Sequence, residues 1–259
     1  MRKILLLLLI HLTASCYAQP FQLAPPRLIY SSAFFKDSIT IRMEFSQPGA
    51  SIHYTTDGSE PGNNSPVYKE PLVINKNTVL KVISAGAGFL PSETVKASFI
   101  KEGIAARQIA YSRPHEVYAQ SAPAILMDNK GGMPDFRNGQ WLGYTGDTAA
   151  LTIRLHKKQK VKQVLIDFLQ DENSWIFLPE QVLVWYYDDG KKAFIPAGKK
   201  TFTHEAAAPR QCVPFTIALD IAVPVDHLKI TAIPLQQIPA WHAGKGSRAW
   251  LFIDEIKVY

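Results

Sequence analysis

From residue 38 the chain alternates. Ser38-Ile39-Thr40-Ile41-Arg42-Met43-Glu44-Phe45 sets polar against apolar positions one by one, the period of a half-buried strand. Ile52-His53-Tyr54 repeats the habit and runs into Thr55-Thr56-Asp57-Gly58. Asp-Gly predicts a tight turn there, because glycine accepts the positive φ such turns need. Residues 67–68, 72–74, 78–85 and 95–99 continue the series, each set off by Pro, Gly or Asn. Short strands at this spacing, with no helical period between them, predict a small β-sandwich. The pattern resets at Lys101-Glu102-Gly103. Beyond it, residues 150–155, 161–168, 181–186, 215–219, 227–232 and 250–258 read as strands, predicting a second antiparallel sandwich of jelly-roll type. The expected fold class is all-β, with two sandwiches in series.

The N-terminus follows a different rule. Met1-Arg2-Lys3 precedes an unbroken apolar run from Ile4 to Ile10, which reads as a secretory signal peptide over residues 1–18. The run is too short to span a bilayer, which takes roughly 20 residues, and no later stretch approaches that length. The mature chain is therefore expected outside the cytoplasm, secreted, periplasmic or at the cell envelope, without a transmembrane span. Cleavage after Ala18 would leave Gln19 as the terminus. The alternative is a lipoprotein anchored through Cys16 in Thr13-Ala14-Ser15-Cys16. Losing Arg2 and Lys3 takes the formal charge from +6 to 6 − 2 = +4. With the lysines scattered, and the group Lys157, Lys158, Lys160, Lys162 placed in an expected turn, this does not describe a nucleic-acid binder. Cys212 is the one cysteine of the mature chain, so it has no internal disulfide partner and reads as a buried free thiol.

Two motifs carry a resemblance. Ile52-His53-Tyr54-Thr55-Thr56-Asp57-Gly58-Ser59-Glu60-Pro61, with Ser65-Pro66-Val67-Tyr68 and Leu80-Lys81-Val82, resembles the small fibronectin type III-like (immunoglobulin-like) domain at the C-terminus of chitobiases and β-hexosaminidases, over residues 24–101. Residues 135–144, 168–179, Pro239-Ala240-Trp241-His242 and 249–256 resemble the discoidin, or coagulation factor five/eight type C, domain with its galactose-binding-like jelly roll, over residues 104–259. Both resemble modules that end bacterial β-N-acetylhexosaminidases. The catalytic barrel of such an enzyme takes about 250 residues and would precede residue 24, where only the leader is read. The resemblance thus implies a non-catalytic, carbohydrate-binding accessory protein that takes a glycan, with a glycoside hydrolase as partner. A structural or protein-docking module, or a detached tail acting in trans with a hexosaminidase, is the alternative.

The adjacent acids Asp171-Glu172 and Asp254-Glu255 mimic the hexosaminidase pair, but neither stands in its His-x-Gly-Gly-Asp-Glu setting. Strand alternation also sends Asp254 and Glu255 to opposite faces. No catalytic residue is expected. The resemblance implies one structural calcium ion, held by the loop 128–135 through Asp128 and Asp135 and by Glu255. A hard cation wants six to eight oxygens; the rival reading of the loop is an Asx-turn with solvated carboxylates. Zinc is not expected, for want of a His/Cys pair at ligand spacing. For a sugar, aromatic faces and nearby polar groups are needed. The glycine-bearing, flexible-looking loop 241–248 offers Trp241, His242 and Arg248, and Trp175 with Asn173 is the second choice. Trp141, Trp185 and Trp250 read as packing residues.

Overall fold

The computed structural model describes residues 21–119, 124–131, 133–205 and 207–259. The leader expected at 1–18, with Cys16, lies outside the described residues. No α-helix occurs among the described residues, and no helix there is long and apolar enough to cross a membrane.

The first half comprises β1 (Phe21–Gln22), β2 (Arg27–Ile29), β3 (Phe34–Phe35), β4 (Ile39–Glu44), β5 (Ala50–Thr55), β6 (Leu72–Ile74), β7 (Thr78–Gly86), β8 (Phe89–Leu90) and β9 (Val95–Lys101). One sheet runs β2-β4-β6, the other β3-β9-β7-β5, and β1 pairs with β8. The alternation that predicted β4 is realised: Ile39, Ile41 and Met43 are buried while Thr40, Arg42 and Glu44 face water. Those three pack on Ile52, Leu80, Val82 and Phe99 of the opposite sheet, closing a sandwich core.

The second half comprises β10 (Ala106–Tyr111), β11 (Leu142–Thr145), β12 (Ala149–Gln159), β13 (Gln163–Gln170), β14 (Gln181–Asp188), β15 (Ala193–Thr201), β16 (Gln211–Ala218), β17 (Val225–Ile233) and β18 (Trp250–Val258). Its sheets are ordered β10-β12-β17-β14-β15 and β11-β18-β13-β16. With edge strand β10 set aside, the remaining eight strands pass between the two sheets in jelly-roll connectivity. Leu151, Ile153, Val182, Leu228 and Ile230 of one sheet meet Leu142, Val164, Ile166, Leu251 and Ile253 of the other in one core. Both halves are β-sandwiches, as their periodicity predicts.

Two local expectations are corrected. Lys157 and Lys158 do not lie in a turn, because β12 runs on to Gln159; they project from the end of a long strand, where Lys158 pairs with Asp189. On β18 the alternation fails at Asp254-Glu255. Ile166 pairs with Ile256, but Phe168 pairs with Ile253, so an extra residue of β18 forms a bulge opposite Asp167. The bulge turns both acids toward one loop: Gly131 abuts the Asp254 carboxylate, and the Lys130 N–H donates to Glu255 Oε1 at 3.2 Å. Both acids are buried.

The halves meet through a small apolar joint in which Ala33, Phe34 and Ile100 pack on Leu165 and Tyr259. Loop 128–131 braces it. The Gly131 carbonyl accepts from the Ala33 N–H at 3.2 Å, the Asn129 carbonyl accepts from Ser32 Oγ at 3.3 Å, and Tyr259 Oη donates to the Lys101 carbonyl at 2.7 Å.

Candidate functional site

Three connections of the jelly roll converge: the β13–β14 loop with Trp175, the β15–β16 loop with His204 and Arg210, and the β17–β18 loop with Trp241 and His242. The first is a tight knot. Asp171 and Ile176 exchange backbone hydrogen bonds at 3.0 Å each, closing a loop around the 3₁₀ turn Glu172–Ser174. Closing so short a loop forces Trp175 into the left-handed region at φ 62°, with its N–H donating to the Glu172 carbonyl at 2.8 Å. A bulky side chain there costs about 1–2 kcal/mol of backbone strain. The Trp175 carbonyl in turn accepts from the Trp250 N–H at 2.8 Å, pinning the knot to β18.

The acids of the knot are structural. Asp171 is buried; its Oδ2 accepts from Ser174 Oγ at 2.8 Å and from Arg210 Nε at 2.9 Å. Glu172, also buried, accepts from Gln170 Nε2 at 2.8 Å with one oxygen and from the Ala208 N–H at 2.9 Å with the other. This network ties the β15–β16 loop to the knot. It escaped the sequence reading, although the run of polar residues before Trp175 marked the segment.

The loop around Trp241 is not the flexible element its glycines implied. Ile238 N–H donates to the Ser247 carbonyl at 2.8 Å and Gly246 N–H to the Ile238 carbonyl at 2.9 Å, while Ile238 and Ala249 bury against Phe177. His242 spends both ring nitrogens inside this frame. Nδ1 accepts from the Gly244 N–H and Nε2 donates to the Glu172 carbonyl, both at 3.0 Å. Trp241 Nε1 donates to the His204 carbonyl at 2.9 Å. Burial pushes the His204 imidazole below its ordinary range. A Cβ at Gly244 would come within 2.9 Å of the Trp175 indole, so a larger residue there would displace that ring.

Trp175 and Trp241 remain 42% and 39% exposed, large for side chains held so firmly. Of the residues singled out in the sequence, the structure links Trp175, Trp241 and His242 through the Glu172 carbonyl and Gly244, and leaves Asn173 exposed at the tip of the knot. Arg248 turns elsewhere and lies along the backbone of Gly146, in the turn between β11 and β12. Trp141 is buried, as its packing reading requires. Trp250 is half-buried in an aromatic band with His115, Tyr118 and Phe252, of which no motif disclosed His115 or Tyr118.

A concavity of about 370 Å³ lies apart from the exposed indole faces, in the groove between the halves, lined among others by Tyr30, Phe34, Lys96, Asp167, Arg210 and Cys212. Asp167 is wholly buried with neither oxygen hydrogen-bonded, and burial raises its carboxyl well above the usual range. Burial also pushes the Cys212 thiol up, which disfavours its reactive thiolate.

Of the three residues expected to hold calcium, Asp128 and Glu255 meet side chain to side chain, and Asp135 is not grouped with them. Asp135 is turned to solvent beside Arg137, its Oδ1 accepting from the Arg137 N–H at 3.1 Å. Asp128 forms an Asx-turn with the Lys130 N–H at 2.9 Å. Glu255 Oε2 accepts from Lys257 Nζ at 2.6 Å. Among the described residues no group of three metal-binding side chains converges.

Fold and site define an all-β chain of two sandwiches whose second member presents a pair of anchored, solvent-facing tryptophans. Residues 30–98 match the family described as Chitobiase/beta-hexosaminidase C-terminal domain, as the motif at 52–61 implied. No curated protein matches the chain. Among solved structures, it is similar to the C-terminal domain of a chitobiase from Bacteroides fragilis, at 15% identity and a TM-score of 0.37 over 59% of this chain and 91% of that one. It is also similar to the family 32 carbohydrate-binding module of EndoD from Streptococcus pneumoniae, at 12% identity and a TM-score of 0.38 over 61% of this chain and 96% of that one. A third is the corresponding module of AlyQ, in complex with 4,5-unsaturated mannuronic acid, at 12% identity and a TM-score of 0.39 over 60% of this chain and 96% of that one.

Proposed function

We propose that this chain is a non-catalytic carbohydrate-binding accessory protein, exported to the periplasm or cell surface. It captures a glycan containing N-acetylhexosamine for a separate glycoside hydrolase. The observation that carries the reading is the pair Trp175 and Trp241, each about two-fifths exposed although Trp175 is fixed by backbone closure and Trp241 by donating its indole N–H to the His204 carbonyl. A rigid, exposed indole stacks on the apolar face of a pyranose without losing side-chain freedom on binding. Asn173 at the tip of the knot supplies an amide for hydroxyls, whereas His242 acts by holding the frame. The family match over residues 30–98 supports a place beside enzymes that degrade such glycans. Asp171 and Glu172 are committed to the loop network, which favours a binding role for this end.

A glycan array probed with the purified protein tests the proposal. Binding to one glycan class is expected, weakened roughly tenfold or more by either Trp175→Ala or Trp241→Ala, the loss typical of an aromatic anchor. A silent array from folded protein would instead support a protein-docking role.

A further inference from the structure

Lys257 stands two residues beyond Glu255 on β18 and is 2% exposed. Its ammonium donates to Glu255 Oε2 at 2.6 Å and to Asn129 Oδ1 at 2.8 Å, and it lies 5.4 Å from the centre of the Phe34 ring. The other Glu255 oxygen takes the Lys130 N–H. Asn129 holds a φ of 59°, a left-handed conformation that asparagine tolerates better than most side chains. That conformation lets its amide work in both directions, since Nδ2 donates to Glu102 Oε1 at 3.1 Å. The ammonium thus sits among a carboxylate of β18, the loop that braces the joint, and an aromatic ring of the first half.

We infer that Lys257 is the resident cation of this site and takes the place of a metal ion. A calcium ion bound by Glu255 Oε2 and Asn129 Oδ1 would sit about 2.3–2.6 Å from both oxygens, and the ammonium lies 2.6 and 2.8 Å from the same two atoms, so it overlaps that position. Two cations do not share that position, and the lysine, being covalently attached, does not exchange with solvent. The joint between the halves is therefore independent of divalent metal. Lys257→Ala withdraws the charge and leaves Glu255 buried without its counter-ion, the condition under which an oxygen cluster recruits a cation.

Thermal unfolding with EDTA and with added calcium chloride is the test. The unmodified protein is expected to melt at the same temperature in both, and elemental analysis is expected to find no stoichiometric calcium. Lys257→Ala is expected to melt roughly 10 °C lower in EDTA, the scale of a broken buried ion pair, and to recover part of the loss with calcium. Lys257→Arg keeps the charge and is expected to stay insensitive to calcium. An unmodified protein that loses several degrees in EDTA and regains them with calcium would overturn the inference. That comparison needs no variant, so it decides the matter even if Lys257→Ala fails to fold.

Discussion

Trp175 carries a backbone conformation that suits glycine, and its side chain is 42% exposed. Backbone strain at a partly exposed aromatic is the kind of outlier that motivates the binding role proposed for this residue. Trp175→Gly should therefore be more stable than Trp175→Ala by about 1 kcal/mol, because only glycine escapes the left-handed penalty; both should lose glycan binding. Chemical denaturation of the two variants checks the difference. Indole exposure at this site was an open question in the sequence, which shows that a tryptophan follows polar residues but not that two backbone bonds close around it. His242 shows the converse: its residue type suits a ligand, yet both nitrogens are committed to backbone. At His204 burial lowers the pKa from the ordinary 6.5. The unfolded imidazole takes up a proton first as pH falls, so the stability tied to the neutral ring is full above pH 6.5. It declines as pH falls through the lower folded value. Because the His204 carbonyl holds Trp241, melting temperature and glycan affinity should both decline on acidification through that window, and those of His204→Ala should decline less.

Element by element, alternation located β4, which buries every second residue, whereas β13 and β18 are strongly apolar segments buried on both faces. Edge strands β10 and β15 were not predicted; each has a neighbour on only one side, so the burial that produces a clean apolar period is weaker there. The β18 bulge is invisible to a period of two, which is why Asp254 and Glu255 were expected on opposite faces. It has a consequence at Gly131, whose φ of +114° and contact with the Asp254 carboxylate exclude a side chain. Gly131→Ala should cost about 2–4 kcal/mol, combining backbone strain with displacement of a buried acid. A smaller loss than Gly139→Ala, at a positive-φ glycine with nothing near its missing Cβ, would contradict the role given to loop 128–131.

At the scale of the molecule, the division into two sandwiches follows from where the pattern resets, but the joint between them does not. It is built from single residues of distant segments, Phe34, Ile100, Leu165 and Tyr259, which no local period connects. The halves should unfold together, in one calorimetric transition. Phe34→Ala removes the ring that packs on Leu165 and faces Lys257, and should separate the transition into two, with about 3–5 kcal/mol lost. A variant that still melts as one unit would mean that the braces of loop 128–131 suffice. The central claim is that the tryptophan end of the second sandwich takes the glycan. Its most direct measurement is a titration of the protein with the best glycan from the array, following the five indole N–H resonances by nuclear magnetic resonance. The signals of Trp175 and Trp241 should shift with a common affinity while that of buried Trp141 stays fixed. Shifts confined to Trp250 or Trp185, with Trp175 and Trp241 unmoved, would contradict the account and place binding elsewhere.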